Sequence, residues 1–153
     1  MERNISIIKI QNQLQLIWYI GAAVLFLILV ASTFSEAFVT TTIEGPKQQA
    51  DKVWAWFIPL ICPTLILIAA TAFANAKTTG RNTKTIKTSF GRFVQYLSLF
   101  YLLMLTLIVA GWPLLPQENP LDTITLSNYF LGPIQGLVVT CVGNIFIQSR
   151  DTA

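Results

Sequence analysis

The chain is predicted to be all-α, a four-helix transmembrane bundle with both termini on the cytoplasmic side. Three observations predict it. Four apolar runs, about 14–35, 53–74, 93–115 and 124–147, contain no Asp, Glu, Lys or Arg. Each has 22 to 24 residues, and about 20 suffice to cross the hydrocarbon core of a bilayer. Charged residues make up only 11% of the 153 residues, against about 25% in an ordinary soluble domain. Finally, the charges are sorted by sign between the connections. Lipid offers the backbone no hydrogen bonds, so a spanning segment satisfies its own peptide groups as a helix. The alternating strands of about ten residues that a membrane barrel requires are missing. Four spans and short connections use nearly the whole length, so residues 1–153 are expected to form a single integral membrane domain.

The first run follows Arg3 and Lys9 and imitates a secretory leader, with Val30-Ala31-Ser32 resembling a cleavage site. Its apolar stretch is long enough to span, so it is read as a retained helix. Ahead of it, Ile7, Ile10, Leu14 and Ile17 recur at helical spacing. Either the first helix begins early, which is the favoured reading, or residues 4–17 form an amphipathic arm on the membrane face or on a neighbouring subunit. The connection Glu36–Lys52 carries the β-branched run Val39–Ile43, suited to a short strand. Gly45-Pro46 then breaks the chain, and Pro46 fits the first turn of a second helix that starts before Val53. Pro59 and Pro63 lie within that second span and favour a kink.

The connection Asn75–Arg92 holds Lys77, Arg81, Lys84, Lys87 and Arg92 and no acid. The positive-inside rule places it in the cytoplasm. Four crossings then put eight basic residues inside with Glu2 and Asp151. Outside lie Lys47 and Lys52 with Glu36, Glu44, Asp51, Glu118 and Asp122. The expected location is the cytoplasmic (inner) membrane, multi-pass, with N and C termini inside. The same five cations are candidate contacts for lipid headgroups or a cytosolic protein partner. They lack the Gly-x-x-x-x-Gly-Lys spacing of a phosphate loop. Trp18 near the inner boundary, and Trp54, Trp56 and Trp112 near the outer one, suit headgroup-level anchors with a wet N–H. The short connection Pro116–Thr123 makes the third and fourth helices antiparallel neighbours. Cys62 and Cys141 fall at different depths and are expected to stay free thiols.

The fourth span carries the candidate site. Asn128, Gly132, Gly136, Thr140 and Asn144 recur at every fourth position, with Gln135 and Gly143 beside them. On a helix they form one small, polar stripe. Gly132 and Gly136 make a Gly-x-x-x-Gly pair, which permits close backbone approach. The favoured expectation is that this stripe packs against the other helices of the same chain. The alternative is that it faces a symmetry axis and lines a pore or a subunit interface. Ser98, Thr106 and Gln95 in the third span, and Thr64 and Thr71 in the second, form weaker polar rows.

There is no His, and no charged residue lies within a span. Proton relays, voltage sensing and ion-coupled pumping depend on such groups. Neither a metal cluster, a nucleophile–base pair nor a cofactor motif can be assembled, so no enzyme activity and no cofactor are expected. The leading expectation is a non-enzymatic homo-oligomeric membrane protein, a pore-type or membrane-effector subunit. By analogy of general appearance it is placed among small subunits of toxin-like, phage-related or cell-defence systems. A second reading is an anchor or sensor that recruits a cytosolic partner through the basic connection. A third is a facilitator for small neutral solutes, with Gln135 and the threonines as binding groups. The lipid bilayer is the expected solvent, and no nucleic acid partner is expected.

Overall fold

Four long helices carry the architecture. The computed structural model describes residues 4–35, 38–42, 45–76, 85–111 and 120–147. Among these the order is β1 (Asn4–Ser6), α1 (Ile7–Phe34), β2 (Val39–Thr42), β3 (Gly45–Gln48), α2 (Ala50–Ala76), β4 (Thr85–Lys87), α3 (Thr88–Gly111) and α4 (Pro120–Ile147). The four helices are long and apolar enough to cross a membrane. Trp112 and residues 77–84, which include Lys77, Arg81 and Lys84, lie outside the described residues, as do 112–119 and 148–153.

Each helix buries one stripe at heptad-like spacing. In α1 it runs through Ile7, Ile10, Gln11, Leu14, Trp18, Ala22, Leu25 and Leu29. In α3 it runs through Gly91, Val94, Ser98, Tyr101, Leu102, Leu105 and Val109. The outward faces are equally apolar, with Leu16, Leu27, Leu107 and Leu126 all exposed. That is the composition expected when the surrounding solvent is hydrocarbon rather than water. Helix α1 packs chiefly on α3, and α2 on α4, while α3 also touches α4; the contact between α1 and α2 is sparse. Cys62 and Cys141 are both free.

Glycines make the α1–α3 seam close. A Cβ on Gly21 would sit 2.7 Å from Leu102 Cδ1, and one on Gly91 would overlap Ile10 Cδ1. Gly91, which falls within the sequence's Asn75–Arg92 connection, is a packing position inside α3.

Two small antiparallel ribbons close the ends. At one end β1 pairs with β4, placing Asn4 opposite Lys87 and Ser6 opposite Thr85. The N-terminal segment is thereby tied to the chain entering α3. Gln11 donates from Nε2 to the carbonyl of Ile145 at 3.1 Å, and this carbonyl is one of the last four in α4, which have no partner within the helix. The starts of α1 and α3 and the end of α4 therefore share this terminal end. At the hairpin end β2, which the β-branched run predicts, pairs with β3.

Several boundaries differ from the sequence-based expectation. Helix α1 is continuous from Ile7, and Ile7, Ile10 and Leu14 are buried in the bundle itself. The early-start reading holds over the separate arm. Pro46 lies in β3 opposite Thr41, so it does not open a helix; α2 begins at Ala50. Lys87 belongs to a strand and Arg92 to α3, so the connection between α2 and α3 is shorter than expected.

Trp18 is the clearest correction. It is fully buried, its ring centroid lies 6.0 Å from that of Tyr101, and Nε1 has no protein partner. It is a core side chain rather than a headgroup anchor. The cause is its place in the α1 stripe, four residues after Leu14 and four before Ala22. Trp56 is also buried and donates from Nε1 to Ser127 Oγ at 3.1 Å. Trp54 donates from Nε1 to Thr33 Oγ1 at 3.2 Å.

Candidate functional site

Polar groups within the bundle sort into an inner set, which joins helices, and an outer set on one face of α4. The inner set is organised by the proline break in α2. Pro63 has no N–H, so it leaves the carbonyl of Pro59, four residues earlier, without its helical donor. Gln135 fills that place from α4, donating from Nε2 to the Pro59 oxygen at 2.7 Å. One residue on, the carbonyl of Leu60 accepts from the buried hydroxyl of Tyr101 on α3 at 2.8 Å. Thus α3 and α4 each supply a side chain to the same interrupted turn. Thr64, one turn further along α2, and Ser98, one turn before Tyr101 on α3, are both fully buried. Their hydroxyls, like the indole N–H of Trp18, have no partner among protein atoms.

The Gln135 contact predicts a specific double-mutant result. Gln135→Leu leaves the Pro59 carbonyl unpartnered and lowers stability by about 1 kcal/mol, the scale of interhelical hydrogen bonds in membranes. Pro63→Ala restores the backbone donor, so Gln135→Leu in that background is expected to be nearly neutral. Reversible unfolding of the four proteins in mixed micelles reads the coupling. Equal costs of Gln135→Leu in both backgrounds would show that the amide does not serve the proline break.

The α4 stripe divides when placed in the structure. Gln135 and Gly143 turn toward α2; a Cβ on Gly143 would lie 3.5 Å from Leu67 Cδ2. The main row turns the other way. Asn128, Gly136, Thr140 and Asn144 are exposed, and a Cβ added to Gly132 or Gly136 meets nothing within 4 Å. The expectation that this row packs inside the protomer is therefore corrected for these five residues. The reason lies on the opposite face of α4. There Leu131, Val138, Val142 and Ile145 are fully buried and Ile124 nearly so, and one helix cannot turn both faces to the same neighbours. Thr140 donates to its own helix at the Gly136 carbonyl, 2.8 Å away. The side-chain amides of Asn128 and Asn144 are left facing outward.

The remaining threonines are engaged locally. Thr71 donates to Leu67 and Ile68, and Thr106 to Leu102, all backbone oxygens within one turn. Gln95 donates to Gln13 Oε1 at 2.8 Å, joining α3 to α1 near the terminal end. Of the basic candidates, Lys87 and Arg92 are exposed and flank the start of α3. Among the described residues no group of three His, Cys, Asp or Glu side chains is placed to hold a metal ion.

Two contributors could not be picked out from composition. Tyr101 and Gln11 each make a hydrogen bond to a backbone carbonyl of another helix while buried. The only sequence signal for Gln11 is an amide on the apolar stripe of α1, and for Tyr101 there is none. Comparison with known proteins returns no matching family model, no matching curated protein and no matching solved structure.

Proposed function

We propose that the chain is a non-enzymatic subunit of a homo-oligomeric assembly in the cytoplasmic membrane, with both termini inside, acting as a pore-type or membrane-effector subunit. The observation that carries this reading is the outward row of α4. Asn128, Gly132, Gly136, Thr140 and Asn144 offer small residues and free amides on a face that meets no other helix of the chain. An amide in hydrocarbon lacks hydrogen-bond partners and is costly to leave there. Another copy, or water in a central pore, supplies those partners. Small residues permit the close helix approach on which association in lipid depends. The lack of charged groups in every span favours passive conduction or membrane disruption over coupled transport.

Two measurements test the proposal together. The mass of native detergent complexes is expected to exceed that of one chain. Purified protein in planar bilayers or liposomes is expected to conduct or release small solutes. A monomeric, non-conducting protein in both assays would overturn it.

A second reading is supported by the β1–β4 ribbon. It ties the N-terminal segment Asn4–Ser6 to Thr85–Lys87, the part of the basic connection that leads into α3. That arrangement suits a membrane anchor presenting cations to lipid headgroups or to a cytosolic protein. Neutralising Lys77, Arg81, Lys84 and Lys87 separates the readings. Under the anchor reading partner capture is lost; under the pore reading conductance is barely altered.

A further inference from the structure

Three interior polar groups without a partner among protein atoms share one layer of the bundle: Trp18 Nε1 on α1, Thr64 Oγ1 on α2 and Ser98 Oγ on α3. All three side chains are fully buried. Their common depth follows from the contacts between helices. Helices α1 and α3 run side by side from the terminal end, matched at Gln13 with Gln95, Trp18 with Tyr101, and Gly21 with Leu102. Ser98 precedes Tyr101 by three residues, about 4.5 Å toward that end. The Trp18 side chain leans the same way, because side chains on a helix tilt toward its N-terminus. Helix α2 runs parallel to α4, matched at Pro59 with Gln135 and at Leu67 with Gly143, and α4 ends beside Gln11. Thr64 is therefore one turn, about 6 Å, nearer the terminal end than Leu60, whose carbonyl receives the Tyr101 hydroxyl. The three groups thus fall within about one turn of each other, on the terminal side of the Tyr101 bridge. They also face inward. Trp18 follows Gln11 by about two turns, on the face from which Gln11 reaches α4, and Ser98 shares the buried stripe of α3 with Tyr101.

From this layer we propose that the bundle binds an ordered water molecule bonded to Trp18, Thr64 and Ser98 together. The donors and acceptors select the ligand. An indole N–H can only donate, whereas a hydroxyl oxygen can also accept. One water accepts from Trp18 Nε1 and donates its two hydrogens to Thr64 Oγ1 and Ser98 Oγ. That makes three bonds, about the number typical of a buried water. A cation is repelled by the indole N–H and finds no carboxylate, since no span contains a charged residue; an anion finds no cation for the same reason. An apolar ligand leaves all three groups unpaired and the cost of burying them uncompensated. The place in α2 agrees. Thr64 follows Pro63, and proline breaks in membrane helices are completed by side chains of neighbouring helices and by ordered waters. Gln135 and Tyr101 are such side chains, at Pro59 and Leu60. The water completes the next turn and joins α1 to α2, helices whose direct contact is sparse. The site depends on the bundle of one chain and not on oligomerisation or conduction.

The test uses the full chain, isotope-labelled at tryptophan, serine and threonine and reconstituted in phosphatidylglycerol vesicles. Solid-state NMR reads the transfer of magnetisation from water to each labelled side chain, and Trp18→Phe assigns the Trp18 indole signal. Transfer to the Trp18 indole N–H is expected, deep within a buried layer. Ser98→Ala and Thr64→Val are each expected to lower it about fivefold, the worth of one hydrogen bond. Neither hydroxyl bonds the indole directly, so this loss passes through the shared water. Thr106→Val removes a hydroxyl that donates to its own helix at Leu102, and is expected to leave the Trp18 signal unchanged. A Trp18 indole that receives nothing from water would overturn the site. So would transfer that persists in either the Ser98→Ala or the Thr64→Val variant. If those variants do not fold, the unsubstituted chain decides: transfer to Trp18, Ser98 and Thr64 is expected to build up at one rate, and a signal at Trp18 alone would refute a common water. A monomeric, non-conducting chain with all three signals would refute the pore reading and leave the water site standing.

Discussion

Trp18→Ala is expected to lower the stability of the bundle by about 2 to 3 kcal/mol, the largest cost of any single truncation proposed here. The side chain is fully buried against Tyr101. Removing it empties the layer where α1 meets α3. In a soluble core such a change costs about 3–5 kcal/mol, part of it from lost transfer out of water. Inside lipid that transfer part is largely missing, and the lost packing remains. Trp18→Phe is the informative partner. It keeps an aromatic ring beside Tyr101 and removes an indole N–H that has no protein partner. Its cost is expected to stay below about 1 kcal/mol. Unfolding titrations in mixed micelles measure both. Were Trp18 a headgroup anchor, the alanine variant would be mild and the phenylalanine variant would shift the helix depth. Two small, equal effects would therefore refute the core placement.

Gly132→Leu and Gly136→Leu are expected to abolish assembly while leaving the protomer intact. Nothing lies within 4 Å of a Cβ at either position, so the new side chain starts in open space. The unfolding free energy of the monomeric bundle is expected to change by less than about 0.5 kcal/mol. A neighbouring helix that approaches over these glycines would be held off by the leucine, and the mass of native complexes falls to one chain. Asn128→Leu and Asn144→Leu are expected to weaken assembly by smaller steps, about 0.6 to 2 kcal/mol for each interhelical hydrogen bond lost. Gly91→Leu should do the reverse. Its side chain overlaps Ile10 and forces α1 from α3, at about 1 to 3 kcal/mol of fold stability. If both α4 variants keep the native complex size, the outward row is not the contact between subunits.

The contrast between these glycines shows where sequence reasoning fails in this chain. Gly132 and Gly136 stand out because they sit among Asn and Thr at a regular spacing. Gly21 and Gly91 do not, because a lone glycine, beside Ile20 and Ala22 or between Phe90 and Arg92, carries no pattern. Yet the second pair makes the close helix contact inside the protomer. The outward direction of the first pair follows only once the opposite face of α4 is seen to be buried. Trp18 shows the same difficulty. Its distance from the end of the first apolar run suggested an interfacial ring. Its helical phase, set by Leu14 and Ala22, turns it into the core.

Four stretches free of charge and longer than 20 residues leave a chain in hydrocarbon one way to satisfy its peptide groups, and the helices follow from this alone. The β-branched run Val39–Ile43 likewise announces strand β2, though not its partner β3, which contains Pro46. Which face of each helix looks inward was beyond the reach of pattern. In water, polarity separates inside from outside; in lipid both faces are apolar, so Leu25 and Leu27 are chemically alike although the first is buried and the second exposed. Contacts between helices settle that question: Gly21 and Gly91 at the α1–α3 seam, Gln135 at the carbonyl released by Pro63, and Gln11 at the end of α4. These depend on which side chains the packing brings within hydrogen-bond or van der Waals reach.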